Sequence, residues 1–223
     1  MTSKRILVIA PHPDDETLGA GGTIAKFSSN GNEVHILMVS GHLPPLYEQK
    51  DYERTVREAK KAFDILGVSG SSFLEIPSTM IGDIPHHELN KKIFEVIENI
   101  KPHIVLCPYP DRHIDHKLVF ESTLVATRPV GIGKKIEMVA AYETLSETHW
   151  NAPHIEPNFT PNWVIDVTDY FAIKLKALKC YESQISDFPA PRSIEAVEAL
   201  AKFRGTQSGF SYGEGMHIIR KTS

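Results

Sequence analysis

Ile6-Leu7-Val8-Ile9-Ala10-Pro11-His12-Pro13-Asp14-Asp15-Glu16 is an apolar run broken by two prolines and closed by three consecutive acids, and a helical pattern starts directly after it, near Thr17. The stretch reads as a strand, a stiff loop and a helix, because each proline holds φ near about −65°. Three adjacent carboxylates repel one another in a loop without a positive partner. A divalent metal removes that repulsion, and His12 with Asp15 offers imidazole and carboxylate at the carboxyl end of a strand, where open α/β sheets bind their ligands. An acidic N-cap cluster is the competing account, since Asp14, Asp15 and Glu16 all suit the positive end of a helix. Pro11 to Glu16 alone divides evenly between the two.

A second stretch repeats the architecture. Ile104-Val105-Leu106-Cys107 is followed by Asp111-Arg112-His113-Ile114-Asp115-His116 and then by another helical pattern. Two strand ends that each deliver His and Asp to one edge of a parallel sheet face each other if the strands are neighbours. A shared metal site becomes the better account.

Pro11 to Glu16 together with His113-Ile114-Asp115-His116 resembles the LmbE-like or PIG-L-like superfamily of zinc-dependent N-acetylglucosaminyl deacetylases. Weaker support comes from Gly19 to Gly22, from Arg57-Glu58 with Leu66-Gly67, and from Arg204-Gly205 through Glu214. The resemblance implies an α/β fold, a Rossmann-like three-layer sandwich with a mostly parallel central sheet. It covers residues 1–223 as a single domain, with a C-terminal extension from about residue 143 that helps close the site.

His12, Asp15 and His116 match the superfamily's metal ligands, and two His with one carboxylate is the open, catalytic type of set. Zinc is the first choice of metal; Fe(II) takes the same donors. Asp14, next to a ligand but matching no ligand position, fits a general base. His113 is placed to act in its protonated form as acid or electrophile, with Asp115 holding the imidazole and favouring its charge. A helix cap competes for Asp115, and a supporting hydrogen bond competes for His113. Arg57, with Arg54 close behind, is the candidate for a sugar-hydroxyl contact; a surface ion-pair set is the plainer alternative. Arg128 either neutralises a helix C-terminus or meets a phosphate or carboxylate on a substrate tail. Relatives often carry an acid near the loop after the third strand, where this chain has Ser78, so Asp83 is the candidate substitute.

The chain has 223 residues, 41% of them hydrophobic, enough to bury a core in one domain. A formal charge of −4 with dispersed Lys and Arg offers no basic patch for nucleic acid or anionic lipid. The apolar run after the positive start is too short for a signal-peptide core, and no segment approaches a membrane span. Cys107 and Cys180 lack Cys-x-x-Cys spacing, so a reducing cytoplasm is the simplest home. A homo-oligomer stays open.

Along the rest of the chain, helices are expected over 16–30, 48–66, 115–126, 169–184 and 192–203, with another ending at Ile100, and strands over 34–40, 73–76, 138–142, 163–167 and 217–220. Leu118, Val119, Leu124 and Val125 are expected to point inward. Gly19, Gly21 and Gly22 either allow tight helix packing or let substrate approach. A dinucleotide loop is disfavoured, because Ile24 stands where a third small residue belongs and the acids ahead would repel a pyrophosphate. His42 borders the site as a substrate contact or a plain loop residue. His35 suits a core or edge position, His86 and His87 a solvated helix start, and His149 and His154 the long loop after Glu143. The Gly-rich stretch 205–215 is expected to be irregular and to close over the site.

These residues lead to a metal-dependent hydrolase, and the resemblance implies its substrate class: an acetyl group removed from an N-acetylated amino sugar of N-acetylglucosamine-conjugate type. Two other classes compete: an Fe(II) oxygenase, which needs an oxoacid-binding arginine by the metal, and a non-catalytic metal- or nucleotide-binding module.

Overall fold

Strands that are apolar at nearly every position belong inside a sheet covered on both faces, and that is how this chain folds. The computed structural model describes residues 3–152 and 154–222. In order come β1 (Arg5–Ala10), α1 (Asp15–Ser29), β2 (Glu33–Gly41), α2 (Gln49–Leu66), β3 (Gly70–Pro77), α3 (His86–Ile100), β4 (Ile104–Pro108) and α4 (Ile114–Ala126). Then follow β5 (Met138–Tyr142), α5 (Leu145–Thr148), β6 (Trp163–Asp166), α6 (Phe171–Leu178), α7 (Ile194–Thr206) and β7 (Gly213–Lys221). The seven-stranded sheet has the order β3-β2-β1-β4-β5-β7-β6, parallel from β3 to β5, with β7 antiparallel to both of its neighbours. Among the described residues no helix is long and apolar enough to cross a membrane.

Side-chain alternation along the strands divides the core. Ile6, Val8 and Ala10 pack with Ala20, Ile24, Phe63 and Ala177 from α1, α2 and α6, whereas Leu7 and Ile9 pack with Ile93, Ile97 and Val119 from α3 and α4. The result is the three-layer α/β sandwich with a mostly parallel sheet. β1 and β4 are direct neighbours, Ile6 opposite Ile104 and Val8 opposite Leu106. The chain leaves β1 toward β2 on one side and returns through β4 on the other. That is a topological switch point, where the loops after both strands part and leave a crevice.

Gly19 and Gly22 serve packing. A Cβ on Gly19 would lie 2.2 Å from Tyr142 Cδ2, and one on Gly22 would lie 2.8 Å from Val167 Cβ. No room is left there for a substrate or a pyrophosphate.

Three expectations change. The helix over 169–184 ends at Leu178, because tertiary bonds take over the following turn: the Tyr181 hydroxyl donates to Glu16, and Ser183 donates through both N–H and Oγ to the Glu58 carboxylate. The irregular stretch 205–215 instead enters β7 at Gly213, where the missing side chain lets the strand pass Val164 and the backbone of Gly205. Residues 184–192, rather than 205–215, supply side chains to the cleft described below. Val125 is 38% exposed, while Val119 is buried and Leu118 and Leu124 are half-buried.

Candidate active site

The loops after β1 and β4 bring the two His-Asp motifs face to face. Asp15 Oδ2 lies 3.1 Å from His12 Nδ1 and 3.2 Å from His116 Nε2. Donors around a tetrahedral ion with bonds of about 2.0–2.1 Å stand roughly 3.3 Å apart, so Asp15 Oδ2 stands at ligand spacing from each of the two imidazoles. His113 joins the group: donor nitrogens of His12, His113 and His116 lie within 4.8 Å of one another. Among the described residues, buried Asp15 Oδ1 and His116 Nε2 have no hydrogen-bond partner. Orphaned atoms of this kind need an explanation, and a cation held between them fits.

Supporting carboxylates orient the imidazoles. Asp111 Oδ2 lies 3.0 Å from His116 Nδ1 and also accepts from the Thr148 hydroxyl, while its Oδ1 accepts from the His113 N–H. A carboxylate on the far ring nitrogen is the usual support of a metal-binding histidine. Asp115 Oδ2 lies 2.9 Å from His12 Nε2 and accepts from the Thr79 N–H at 2.7 Å.

The electrostatics favour a trapped cation. Burial would lower His12, but Asp115 and Asp15 outweigh it and raise the imidazole to about 8. The same contest at His116, against Asp15 and Asp111, ends at about 10. Burial opposes ionisation of Asp15, yet His116 and His12 hold it well below the carboxylate range. The protein therefore retains protons where donor atoms converge, and a metal would displace them.

Asp14 behaves differently from Asp15. It sits before α1 in the left-handed region, φ 108° and ψ −29°, and its side chain makes no capping bond. Neither carboxylate oxygen has a hydrogen-bond partner among the described residues. Burial pushes its pKa well above the carboxylate range, against the pull of Arg192. The N-cap account of the acids thus fails for Asp14, and Asp15 turns its carboxylate to the His12 N–H and ring.

The expected pairing of Asp115 with His113 is replaced by another. His113 itself caps α4, its Nδ1 accepting from the Asp115 N–H at 3.1 Å, and the Asp115 carboxylate turns to His12. The helix start aims the Asp115 N–H back at His113, so the carboxylate is left for a different ring. Burial and the charges of His12 and His116 lower His113 to about 4. His113 is therefore neutral here, with Nδ1 accepting and Nε2 left to carry the proton.

A cleft of about 140 Å³ opens onto this cluster, lined by Asp14, His42, Tyr47, Ser78, Thr79 and His113 among others. Its remaining wall comes from far along the chain: Glu147, Gln184 and Arg192. Arg192 lies in a turn before α7, and no local pattern in Pro191-Arg192-Ser193 announces it.

The arginines singled out from sequence lie elsewhere. Tyr52, Thr55, Glu58, Ala59 and Ala62 form the inward face of α2, which turns Arg57 out to a surface groove with Phe73 and Glu75. Arg54 is exposed and pairs with Asp51 at 3.3 Å. Arg128 follows the far end of α4, where its Nε donates to the Val125 carbonyl; it closes the helix and does not line the cleft. Asp83 is exposed, so Ser78 has no acidic substitute there. His149 is more than a loop residue, since its Nε2 lies 2.9 Å from Glu143 Oε2, a carboxylate that also accepts from Arg204.

Residues 7–127, more than half of the chain, match the profile of the PIG-L family, described as GlcNAc-PI de-N-acetylase. Diacetylchitobiose deacetylase of Thermococcus kodakarensis is 29% identical over 97% of this chain and 83% of its own length. The 1D-myo-inositol 2-acetamido-2-deoxy-alpha-D-glucopyranoside deacetylase of Rhodococcus jostii is 24% identical, over 85% of each. A conserved protein of Thermus thermophilus has the same fold, with a TM-score of 0.80 and 25% identity over 99% of this chain and 96% of that one. The chain belongs to the PIG-L family.

Proposed function

We propose that this protein is a metal-dependent hydrolase that removes the acetyl group from an N-acetylated amino sugar of N-acetylglucosamine type and releases acetate. The observation that carries the reading is Asp14: a buried carboxylate without hydrogen bonds, held beside a three-atom donor cluster at the wall of a cleft. The substrate class follows from the two deacetylase relatives.

His12, Asp15 and His116 would hold the metal, with zinc the first choice and Fe(II) the second. When bound, the ion supplies Lewis acidity toward water and toward the amide carbonyl. Asp14 takes a proton from water as the water oxygen bonds to the carbonyl carbon. Burial favours the neutral acid, and the Arg192 guanidinium pulls that carboxylate back toward its ionised form. His113 donates from Nε2 to the carbonyl oxygen as negative charge develops there. The C–N bond then breaks, and the amine leaves with the proton that Asp14 returns.

Glu147, Gln184 and Arg192 line the cleft, which supports the reading that the stretch after about residue 143 helps close the site. We place the protein in a reducing compartment, the cytoplasm, on the strength of two unpaired cysteines. The Fe(II) oxygenase reading gains no support, because the arginine of the cleft faces Asp14 rather than standing free for an oxoacid.

Acetate release from N-acetylglucosamine and its conjugates tests the reading, with protein stripped by chelator and reloaded with zinc or Fe(II). Release that returns with metal and is absent in Asp14→Asn supports it. Fully metal-loaded protein that releases no acetate from any of these conjugates would overturn it.

A further inference from the structure

Glu16 closes the Pro-His-Pro-Asp-Asp-Glu motif, yet it belongs neither to the imidazole cluster nor to the lining of the cleft. Its side chain is completely buried, and three donors meet on it. The Thr17 hydroxyl donates to Oε1 at 2.6 Å, the Tyr181 hydroxyl donates to the same oxygen, and the Asp14 N–H donates to Oε2 at 3.3 Å. Buried donors have no water to turn to, so a carboxylate that takes them on both oxygens holds them firmly.

The bond to the Asp14 N–H fixes one side of Asp14. On the other side, the Asp14 carbonyl accepts from the Thr17 and Leu18 N–H groups at 3.0 and 2.8 Å. The planar peptides before and after the Asp14 Cα are thus both held, which leaves its φ and ψ no freedom. A non-glycine residue is kept at φ 108° in this way, and the direction of its carboxylate follows from the backbone. Tyr181 also lies at the root of the opposite wall. Its carbonyl accepts from the Gln184 and Ile185 N–H groups, and the turn that follows is closed by the Ser186 N–H on the Arg192 carbonyl. Both members of the Asp14–Arg192 pair trace back to Tyr181, one through its hydroxyl and one through its carbonyl.

We propose that Glu16 and Tyr181 are positioning residues for the hydrolysis: Glu16 holds Asp14 in its left-handed conformation, and Tyr181 locks Glu16 while seating the turn that carries Arg192. Neither lines the cleft. This assignment rests on the deacetylase reading and deepens it.

Tyr181→Phe deletes one oxygen, and Glu16→Gln replaces an acceptor oxygen by an amide donor of equal size. On the metal-loaded protein, with the N-acetylglucosamine conjugate turned over fastest, Tyr181→Phe should lower kcat about tenfold and Glu16→Gln about 10²-fold, with KM within about twofold and metal content unchanged. In an Asp14→Asn background the same changes should alter the residual rate by less than about twofold, because a residue that acts through Asp14 has nothing left to position. Losses that multiply with that of Asp14→Asn overturn the proposal, as does an unchanged kcat in both variants. Tyr181→Phe decides the case alone if Glu16→Gln does not fold.

Amide hydrogen exchange gives a readout without turnover. Protection of the Asp14 N–H should fall about tenfold in each variant, while that of the Leu18 N–H in the first turns of α1 stays. Equal loss at both amides would show a loosened helix and overturn the positioning role. The expected exchange pattern in a fully metal-loaded protein that releases no acetate would overturn the deacetylase reading and leave the hold on Asp14 standing.

Discussion

Arg192 Nε stands 3.4 Å from Asp14 Oδ2, and both residues line the cleft beside the His cluster. Asp14 occupies a backbone region that costs a non-glycine residue about 1–3 kcal/mol, and strain of this size concentrates at functional positions. Asn tolerates the same region. Asp14→Asn should therefore keep fold and metal while lowering kcat by about 10²- to 10⁴-fold. Metal analysis beside acetate release checks this, and metal lost in step with activity would mean that Asp14 is a ligand.

Arg192→Gln removes the charge that opposes neutralisation of Asp14. It should lower kcat/KM by about 10²-fold, as expected when a catalytic group is left misplaced or in the wrong protonation state, at unchanged metal content. Arg192→Lys should recover part of the loss. Equal loss in both variants would point to guanidinium shape rather than charge.

His12→Ala and His116→Ala should each lose most of the metal and the activity together. His113→Ala should retain metal and lower kcat by about 10²- to 10³-fold, the effect of losing one oxyanion donor. The structure also allows the direct contest between donors, because His113 lies among the clustered imidazoles. Metal kept in Asp15→Asn but lost in His113→Ala would replace the two-His, one-carboxylate set with three histidines.

Glu143 gives a pH dependence of stability. Burial would raise its pKa, but hydrogen bonds from Arg204 and His149 prevail and lower it. A carboxylate depressed in the folded state contributes fully above its unfolded pKa, about 4.3, and its contribution is lost as pH falls through the folded value. The Tm difference between wild type and Glu143→Gln should thus be largest near neutrality and shrink below roughly pH 4. A difference constant from neutral to acid would show that ionisation of Glu143 does not contribute.

Gly19→Ala should destabilise the fold despite the better helix propensity of Ala. The new Cβ would meet Tyr142 Cδ2 at 2.2 Å and the Glu143 carbonyl oxygen at 2.6 Å. Overpacking costs about 1–3 kcal/mol, against a propensity gain of at most about 1. Urea midpoints measure the net; a rise would show that α1 can shift away from β5.

The sequence by itself determined the layered α/β architecture, because continuous apolar strands ending in Pro-His-Pro and in Asp-Arg-His-Ile-Asp-His are local patterns with one sensible burial. It also marked the two His-Asp motifs, whose side chains converge once β1 and β4 pair. Only the tertiary structure decided which carboxylate holds which imidazole: Asp115 reaches His12, and Asp111 reaches His116. It likewise turned Arg57 outward, placed Arg128 away from the cleft, and brought in Arg192. Motifs record which donors a short loop carries. Partners far apart in sequence are chosen by how the sheet and the later turns pack, and no local pattern encodes that choice.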